Sequence, residues 1–238
     1  MILFISDLHL ALDKPGITRR FLEFLDTRAV EAEALYILGD LFDAWIGDDD
    51  PTPPYGKIKR RIKQLTAAGT QVFLQPGNRD FLLGERFCRE TGVVLLGDYH
   101  VIDLYGVPTL LTHGDLLCTD DLPYQAFRAK AHTPEWMRSV LSKPLLLRLL
   151  AARWYRLRSF LHKRKKNQAI MDVNLHTVTQ VMRKHGCLRM IHGHTHRPNV
   201  HDFQIDGHSA RRFVLADWNR DAGQVLSWTP QEYRIDII

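Results

Sequence analysis

Residues 2–9 of the chain read Ile-Leu-Phe-Ile-Ser-Asp-Leu-His, a short apolar run that ends in a polar cluster. The same arrangement recurs four times further along. Short runs rich in Val, Ile, Leu and Phe are typical of strands buried inside a sheet. The four later runs and their polar ends are 35–38 with Gly39-Asp40-x-x-Asp43, 72–74 with Gly77-Asn78-Arg79-Asp80, 109–112 with His113-Gly114-Asp115, and 188–191 with His192-Gly193-His194-Thr195-His196.

The order of the predicted elements indicates an α/β protein. Helical patterns at 17–30 and 55–68 separate the first three runs, which predicts a β-α-β-α-β start. Two packed sheets with helices outside fit this pattern. The regular succession of predicted strands stops at residues 120–166, where helical segments dominate. We therefore expect a core of 1–119 and 167–238 with a helical cap inserted at 120–166. The C-terminal strands are predicted at 200–205, 212–218, 224–228 and 233–237.

The composition of the 238 residues is that of an ordinary globular protein, with 45% hydrophobic and 25% charged residues. It excludes a disordered chain, a collagen-like repeat and a disulfide scaffold. Three widely spaced cysteines predict reduced thiols in a cytoplasmic protein. The N-terminus lacks the features of a signal peptide, and no apolar run approaches the roughly 18 residues that cross a bilayer. We therefore expect neither a signal peptide nor a transmembrane helix.

The net charge of +5 conceals an uneven distribution. Between Trp136 and Lys166 there are ten Lys and Arg residues and no acid, so the rest of the chain is net acidic. Such a segment either binds an anionic partner or is a solvated helix that packs its apolar side on the core. Nucleic acid also attracts basic segments. The body is acidic, however, and shows no usual nucleic-acid-binding pattern, so we expect no nucleic acid partner.

Seven residues at the predicted strand ends form a candidate metal site. In open α/β sheets, ligands bind at the carboxyl ends of the strands. Carboxylate, amide and imidazole ligands suit divalent metals with open coordination positions, and the lack of cysteine argues against a structural zinc site. Seven ligands exceed the need of one ion but suit two ions about 3.5–4 Å apart. The seven are Asp7, His9, Asp40, Asn78, His113, His194 and His196.

This motif series resembles, in residue type and order, that of the calcineurin-like metallophosphoesterases. The resemblance implies a four-layer α/β/β/α sandwich that binds two divalent metal ions per chain, with Asp40 bridging them. It also implies Mn²⁺, although the ligand set itself tolerates Fe²⁺, Co²⁺ and Zn²⁺ as well. By resemblance, one ion takes Asp7, His9, Asp40 and His196, and the other takes Asp40, Asn78, His113 and His194.

Arg79 departs from the broad family pattern, in which a histidine at this position is thought to protonate the leaving group. Arginine stays protonated at any working pH, so it stabilises phosphate charge but is a poor general acid. The sequence therefore favours a leaving group that departs readily as an anion, such as a phosphate within a pyrophosphate. It leaves open which residue, if any, is the general acid.

The Gly77-Asn78-Arg79-Asp80 motif, residues 42–48 and the basic insertion resemble a pyrophosphate-cleaving branch of that family, which acts in lipid A biosynthesis. The resemblance implies that water activated by two metal ions attacks the α-phosphate of UDP-2,3-diacylglucosamine, giving UMP and 2,3-diacylglucosamine 1-phosphate (lipid X). It further implies a peripheral membrane protein at the cytoplasmic face of the inner membrane, in contact with anionic lipid. We expect a monomer.

The same resemblance assigns roles to individual residues. On a helix, Ser159, Lys163 and Lys166 share one cationic face, which suits a diphosphate, while Trp154 lies on an apolar face that suits acyl chains or a membrane surface. Catalytic roles fall on Asp40, Asn78, Arg79 and His194. Substrate contacts fall on Asn78, Arg79, Asp121, Ser159, Lys163, Lys166 and His194.

A few further residues receive structural predictions. Asp43, Asp80 and Asp115 are expected to orient ligands rather than to bind metal, and Asp120 is expected to cap the following helix. His192 is expected only to end a buried strand, and Cys118 only to pack.

Three alternatives to the implied function remain. The same metals serve a nucleotide pyrophosphatase without lipid specificity and a phosphodiesterase. A binding protein that has lost catalysis is a different class. Such proteins typically lose several ligands, whereas all seven positions here hold metal-competent side chains.

Overall fold

The computed structural model describes residues 1–163 and 172–238, with side chains described outside 156–163. Within these residues the strands alternate with helices up to β4 and then dominate the C-terminal part. The strands are β1 (Ile2–Ile5), β2 (Ala34–Leu38), β3 (Gln71–Gln75), β4 (Val94–Leu95), β5 (His100–Leu104), β6 (Val107–Leu111), β7 (Arg189–His192), β8 (Asn199–Ile205), β9 (His208–Val214), β10 (Gln224–Trp228) and β11 (Tyr233–Ile237).

The α-helices fall into three groups along the described chain. Three connect the strands of the N-terminal part, three follow one another after β6, and one precedes β7. They are α1 (Pro15–Thr27), α2 (Tyr55–Ala67), α3 (Glu85–Thr91), α4 (Leu122–Ala131), α5 (Pro134–Leu141), α6 (Leu145–Lys163) and α7 (Leu175–Lys184).

The first sheet has six strands in the order β11-β10-β1-β2-β3-β4. Strand β1 pairs in parallel with β2, and β2 with β3. Helices α1 and α2 make the two connections, so the predicted β-α-β-α-β start is confirmed. Because the three central strands are parallel, the residues that follow each of them arrive at the same edge of the sheet.

The second sheet has five strands in the order β5-β6-β7-β9-β8. Strands β6, β7 and β9 run parallel, and β5 and β8 pair antiparallel at the two edges. The segments that follow β6 and β7 therefore also leave the sheet at one shared edge.

The layers follow from alternating side chains on the central strands. On β1, Leu3 and Ile5 pack in a core with Phe21 of α1 and Ile58 of α2. Phe4 points the other way, into a core shared with residues of the second sheet. The opposite face of the second sheet packs Met190 and other apolar residues against α7. The predicted four-layer α/β/β/α architecture is confirmed.

One predicted strand was misplaced. Residues 212–218 were expected to form a strand, but β9 is His208–Val214 and the chain leaves the sheet after it. A two-residue turn at Asp206-Gly207, both with positive φ, joins β8 to β9 in a tight hairpin. Trp218 instead packs edge-on against Phe21 and Phe24 of α1. Apolar residues beyond Val214, such as Trp218, therefore pack in the core that faces α1 and do not extend the strand.

Helices α4, α5 and α6 lie between β6 and α7 in the chain, and two buried arginines join them to the rest of the protein. On α4, Arg128 donates to Asp115 Oδ2 at 2.5 Å and to Asp98 Oδ1 at 2.6 Å. On α6, Arg148 donates to the Ile46 carbonyl at 2.6 Å. These charge-assisted contacts fix both helices next to the segments that follow β2 and β6.

The N-cap of α4 differs from the prediction. Asp121, not Asp120, accepts the backbone N–H of Tyr124 at 3.2 Å and caps the helix. Asp120 instead accepts from the Asn174 side chain at 3.1 Å. The expected cap was one residue too early because both aspartates precede the helix and both are good N-caps.

Among the described helices, none combines the length and the apolar character that crossing a membrane requires.

Candidate metal centre

The seven predicted ligands meet at the shared edge of the two sheets. Asp7 and His9 follow β1, Asp40 follows β2 and Asn78 follows β3, all from the first sheet. The other three follow strands of the second sheet, so the site spans the sandwich. The seven side chains form an unbroken chain of neighbours, described in the next paragraphs in two groups that share Asp40.

The first group contains Asp7, His9 and His196. His196 Nε2 lies 3.2 Å from Asp7 Oδ1 and 3.4 Å from His9 Nε2. The second oxygen of Asp7 accepts from Ser6 Oγ at 2.6 Å and from the His194 backbone N–H at 2.8 Å. Those two bonds orient the carboxylate so that Oδ1 faces the imidazoles.

The second group contains Asn78, His113 and His194. His113 Nε2 lies 3.1 Å from Asn78 Oδ1 and 3.2 Å from His194 Nδ1. The other ring nitrogen of His113 donates to the Leu38 carbonyl at 2.8 Å. That bond fixes Nδ1 as the donor, so loss of the Nε2 proton would leave the Nε2 lone pair free to bind a metal ion.

Asp40 lies between the two groups. Its Oδ2 is 3.7 Å from His9 Nδ1, and its Oδ1 is 3.8 Å from His113 Nε2. Each oxygen of this one carboxylate thus faces a different group. This arrangement would allow two ions to share the carboxylate.

The backbone of the site is strained in a way that the sequence does not reveal. Five of the seven residues have the left-handed backbone conformation, namely Asp7, His9, Asp40, His194 and His196, with φ between 49° and 68°. Non-glycine residues rarely adopt this region, and each costs on the order of 1–3 kcal/mol where it persists. Such strain concentrates at functional sites because the surrounding structure is built to hold it.

Burial shifts the pKa values of several groups in the site. Loss of water raises the pKa of Asp40 to about 7, and nearby Asp80 and Asp7 add to the effect while His113 opposes it. For His113, burial lowers the pKa, but the charges of Asp40 and Asp7 outweigh it and raise the pKa to about 9. Burial lowers the pKa of His9 to about 2 and that of His194 to about 3.

The donor set fits divalent metal ions. The oxygen and nitrogen atoms of Asp7, His9 and His196, and those of Asp7, Asp40 and His113, lie within 4.8 Å of one another. His9 Nδ1 is buried and has no hydrogen-bond partner in the described structure. Buried imidazole and carboxylate groups this close are favourable only with a shared proton or a cation between them.

Arg79 lies at the rim of the site, beside Asp40 and Asp43. Its Nη1 donates to Asp43 Oδ1 at 3.1 Å, and its Nε is 3.5 Å from Asp40 Oδ2. The Lys14 ammonium is 3.4 Å from the same Asp43 oxygen. Asp43 thus orients a guanidinium and an ammonium next to the candidate ligands. Lys14 was missed because nothing in its sequence context marks it as part of the site.

Asp80 holds the Gly77-Asn78-Arg79 turn in place. Its Oδ1 accepts from the Gly77 N–H at 2.7 Å and its Oδ2 from the Phe42 N–H at 3.2 Å. The Arg79 N–H in turn donates to Asp40 Oδ1 at 2.8 Å. A Cβ on Gly77 would collide with Asp40, so glycine is needed here for close approach.

Asp115 connects the site to α4. Its Oδ2 accepts from Arg128 Nε and from the Tyr124 hydroxyl, both at 2.5 Å. The Tyr124 ring lies 6.3 Å from that of His194. Tyr124 and Arg128 were missed because their role depends on where α4 packs, and not on any local motif.

The predicted substrate-binding residues are placed unevenly. Asn78, Arg79 and His194 belong to the site. Asp121 caps α4, a few residues after Asp115 in the chain. Ser159 and Lys163 fall on the last turns of α6, where the backbone alone is described. Lys166 lies outside the described residues.

Two remaining predictions agree with the structure. His192 ends β7 and is buried, with its Nε2 at 2.9 Å from Arg212 Nη1. Cys118 is buried in the core beside α7.

Comparison with known proteins agrees with this geometry. The family model of calcineurin-like phosphoesterases matches residues 1–198. The chain belongs to the calcineurin-like phosphoesterases. The resemblance inferred from the motifs is thereby confirmed, and with it the expectation of an enzyme that uses divalent metal ions.

Three relatives that resemble this calcineurin-like phosphoesterase along nearly its whole length share one name. A UDP-2,3-diacylglucosamine hydrolase of Klebsiella pneumoniae subsp. pneumoniae is 48% identical over 233 residues, covering 98% of this chain and 97% of that protein. One from Enterobacter sp. (strain 638) is 50% identical over 224 residues, covering 94% and 93%. One from Marinobacter nauticus is 48% identical over 219 residues, covering 92% and 90%.

Proposed function

We propose that the protein hydrolyses the pyrophosphate bond of UDP-2,3-diacylglucosamine. Water adds to the α-phosphorus and the bond from that phosphorus to the bridging oxygen breaks, so that UMP and 2,3-diacylglucosamine 1-phosphate are released. The observation that carries the proposal is the position of Asp40, whose two oxygens face the His9 group and the His113 group. The names of relatives with about half of their residues identical to this chain support the choice of substrate.

Two divalent ions, of which we propose Mn²⁺ as the preferred metal, would be held by the seven residues at the sheet edge. Asp7, His9, Asp40 and His196 would hold one, and Asp40, Asn78, His113 and His194 the other. When bound, such ions lower the pKa of water and offset phosphate charge.

The protein's own residues have separate tasks in this reaction. Arg79 supplies a permanent positive charge at the rim, where it stabilises charge on the transferring phosphoryl group. Asp43 keeps the guanidinium in place. Asn78 and His194 serve both the metal and the phosphate. No protonation of the leaving group is required, because a phosphate departs as an anion.

We further propose that residues 120–166 form a substrate cap, with 1–119 and 167–238 as the catalytic core. Exposed apolar side chains on α6 support this, namely Leu146, Leu147, Leu150 and Trp154. Together with the basic residues of this segment they suit an acylated anion and the surface of an anionic membrane, where each nearby Lys or Arg contributes about 1 kcal/mol. The protein would act as a monomer, peripherally, at the cytoplasmic face of the inner membrane.

Substitution of Asp40 tests the shared carboxylate. Asp40→Ala should abolish metal-dependent hydrolysis, since both ions lose a ligand. Release of UMP from UDP-2,3-diacylglucosamine, measured with Mn²⁺ against the stripped protein, gives the readout. The matched control is Asp202→Ala, an exposed aspartate paired with Arg211, which should keep wild-type turnover. Near-wild-type turnover of Asp40→Ala would contradict the two-metal proposal.

The choice of substrate is tested by comparing acylated and unacylated sugar nucleotides. Hydrolysis of UDP-2,3-diacylglucosamine should greatly exceed that of UDP-N-acetylglucosamine, and joint substitution of Lys163 and Lys166 by Gln should raise KM for the acylated compound. Equal rates on both compounds would favour a nucleotide pyrophosphatase without lipid specificity. Unchanged kinetics in the lysine variant would remove these residues from the substrate site.

A further inference from the structure

A small cavity lies beside the loop that carries His194 and His196. It has a volume of about 280 Å³. It lies where β7 and β9 end, on the side of the second sheet opposite Phe213 and the core between the sheets. Its lining residues are Asp172, Thr195, Arg197, Pro198, Asn199, His201, Arg212 and Val214.

Arg212 is the unusual member of this lining. It is only 4% exposed. Its Nη1 meets His192 Nε2 at 2.9 Å, and its Nε has no hydrogen-bond partner in the described part of the chain. An imidazole is never anionic, so His192 offers the guanidinium no counter-charge. A buried guanidinium normally has an anionic partner, because an unpaired buried charge is costly.

The acid in the lining does not satisfy this need. Asp172 Oδ2 accepts from Arg197 Nη1 at 2.6 Å, and Asp172 Oδ1 accepts from the Val173 N–H at 2.8 Å. Both oxygens are thus engaged elsewhere. Burial lowers the pKa of Arg212 and the charge of Asp172 opposes that shift. In the described structure no ion pair within 4.0 Å joins the two residues, and Asp172 pairs with Arg197.

The other polar groups of the cavity add donors. The Asn199 side-chain oxygen accepts from the Val200 N–H at 2.8 Å, which leaves the amide NH₂ as the group to donate. The Thr195 hydroxyl belongs to the same lining. A small space lined by two guanidinium groups is chemically suited to an oxyanion with several oxygens.

We propose that this cavity binds a phosphate group, either the monoester of the released nucleotide or free orthophosphate. The volume lies just below the range of about 300–1,000 Å³ that drug-sized ligands occupy, so it suits a phosphate group better than a whole acylated sugar. Its place next to Thr195, between two candidate metal ligands, puts it within the neighbourhood of the reacting diphosphate. The nucleotide alternative rests on the proposed function, whereas the orthophosphate alternative does not.

Isothermal titration calorimetry with UMP and with orthophosphate tests the proposal on manganese-loaded protein, without turnover. Arg212→Gln should weaken binding about tenfold or more, the loss expected for a charge-assisted hydrogen bond. Arg197→Gln, at an exposed position of the lining, should weaken it severalfold. The matched control is Arg211→Gln, the neighbour on β9 that pairs with Asp202 outside the cavity, and it should bind as wild type.

The two ligands identify the source of the anion. Weakened binding of both assigns the cavity to phosphate in general, and weakened binding of UMP alone assigns it to the nucleotide. Wild-type affinity of both folded variants for both ligands, at equal manganese content, would overturn the proposal and leave Arg212 as a structural partner of His192. Arg212-dependent orthophosphate binding in a protein that does not cleave UDP-2,3-diacylglucosamine would refute the proposed function and not this site.

Discussion

At the scale of single residues, the site depends on the close approach of backbone segments to the ligand carboxylates as much as on the chemistry of the ligands. Gly77 and Gly193 each lie where a Cβ would collide with a carboxylate of the site, Asp40 in the first case and Asp7 in the second. The candidate ligands therefore depend on neighbours that have no side chain. Asp80 likewise affects the position of the ligands without being one of them, because it holds the Gly77 turn in place.

Gly77→Ala tests this packing. The added methyl group should displace the Asp40 carboxylate and lower both manganese content and kcat by at least about tenfold, the scale of effects seen for residues that orient metal ligands. Metal analysis and UMP release measure the two quantities. Gly97→Ala is the control, since a Cβ there meets nothing within 4 Å and its φ is not positive. Equal activity of the two variants would contradict the packing argument.

At the scale of elements, buried polar contacts join the helices between β6 and α7 to the rest of the protein, and partly buried apolar residues of α5, such as Trp136 and Met137, pack beside them. None of the residues of α5 is fully buried, and α4 buries only Arg128 and Ala131. Arg148 of α6 donates to Asp49 Oδ1 at 2.8 Å and to two backbone carbonyls. Arg148 thus attaches the first part of α6 to the segment that follows β2.

Arg148→Met should lower the free energy of unfolding by about 1–3 kcal/mol, because buried carbonyls lose a charged donor. Chemical denaturation measures the change. Hydrogen exchange of residues 145–155 should also quicken, since these amides lose their attachment to the core. The control is Arg138→Met on α5, whose partner Glu135 is equally exposed, and it should change stability by less than about 0.5 kcal/mol.

At the scale of the whole molecule, the candidate metal centre joins the two sheets. Asp7, Asp40 and Asn78 come from the first sheet and His113, His194 and His196 from the second. Ions bound there would connect the two halves of the sandwich. Anything that binds the folded state alone stabilises it, by about 2.7 kcal/mol at a concentration one hundred times Kd.

Manganese should therefore raise Tm, and more at pH 8 than at pH 6. Without metal, Asp40 has a pKa of about 7 and His113 of about 9, so both hold protons at pH 6. Ligands must lose those protons to bind metal, hence affinity rises with pH across this range. Differential scanning calorimetry at the two pH values measures the shift. Asp40→Ala should show little rise at either pH, and a larger shift at pH 6 would contradict the assignment.

The sequence by itself determined the β-α-β-α-β start, the layer architecture and the seven polar residues at strand ends. These follow from local periodicity and from the rule that parallel strands end at one edge. It misplaced β9 because an apolar residue such as Trp218 packs equally well on a helix as in a ladder.

Only the tertiary structure decided which residues face one another. No local sequence pattern marks the residues and conformations that the structure revealed. They are the left-handed backbone at five candidate ligands, Lys14 beside Asp43, the Asp115–Arg128 pair and the buried Arg212. Their positions result from packing between segments far apart in the chain, and no short-range pattern encodes such contacts. The residue types therefore predicted the metal-binding chemistry of the site, whereas the distances and contacts between its side chains required the tertiary structure.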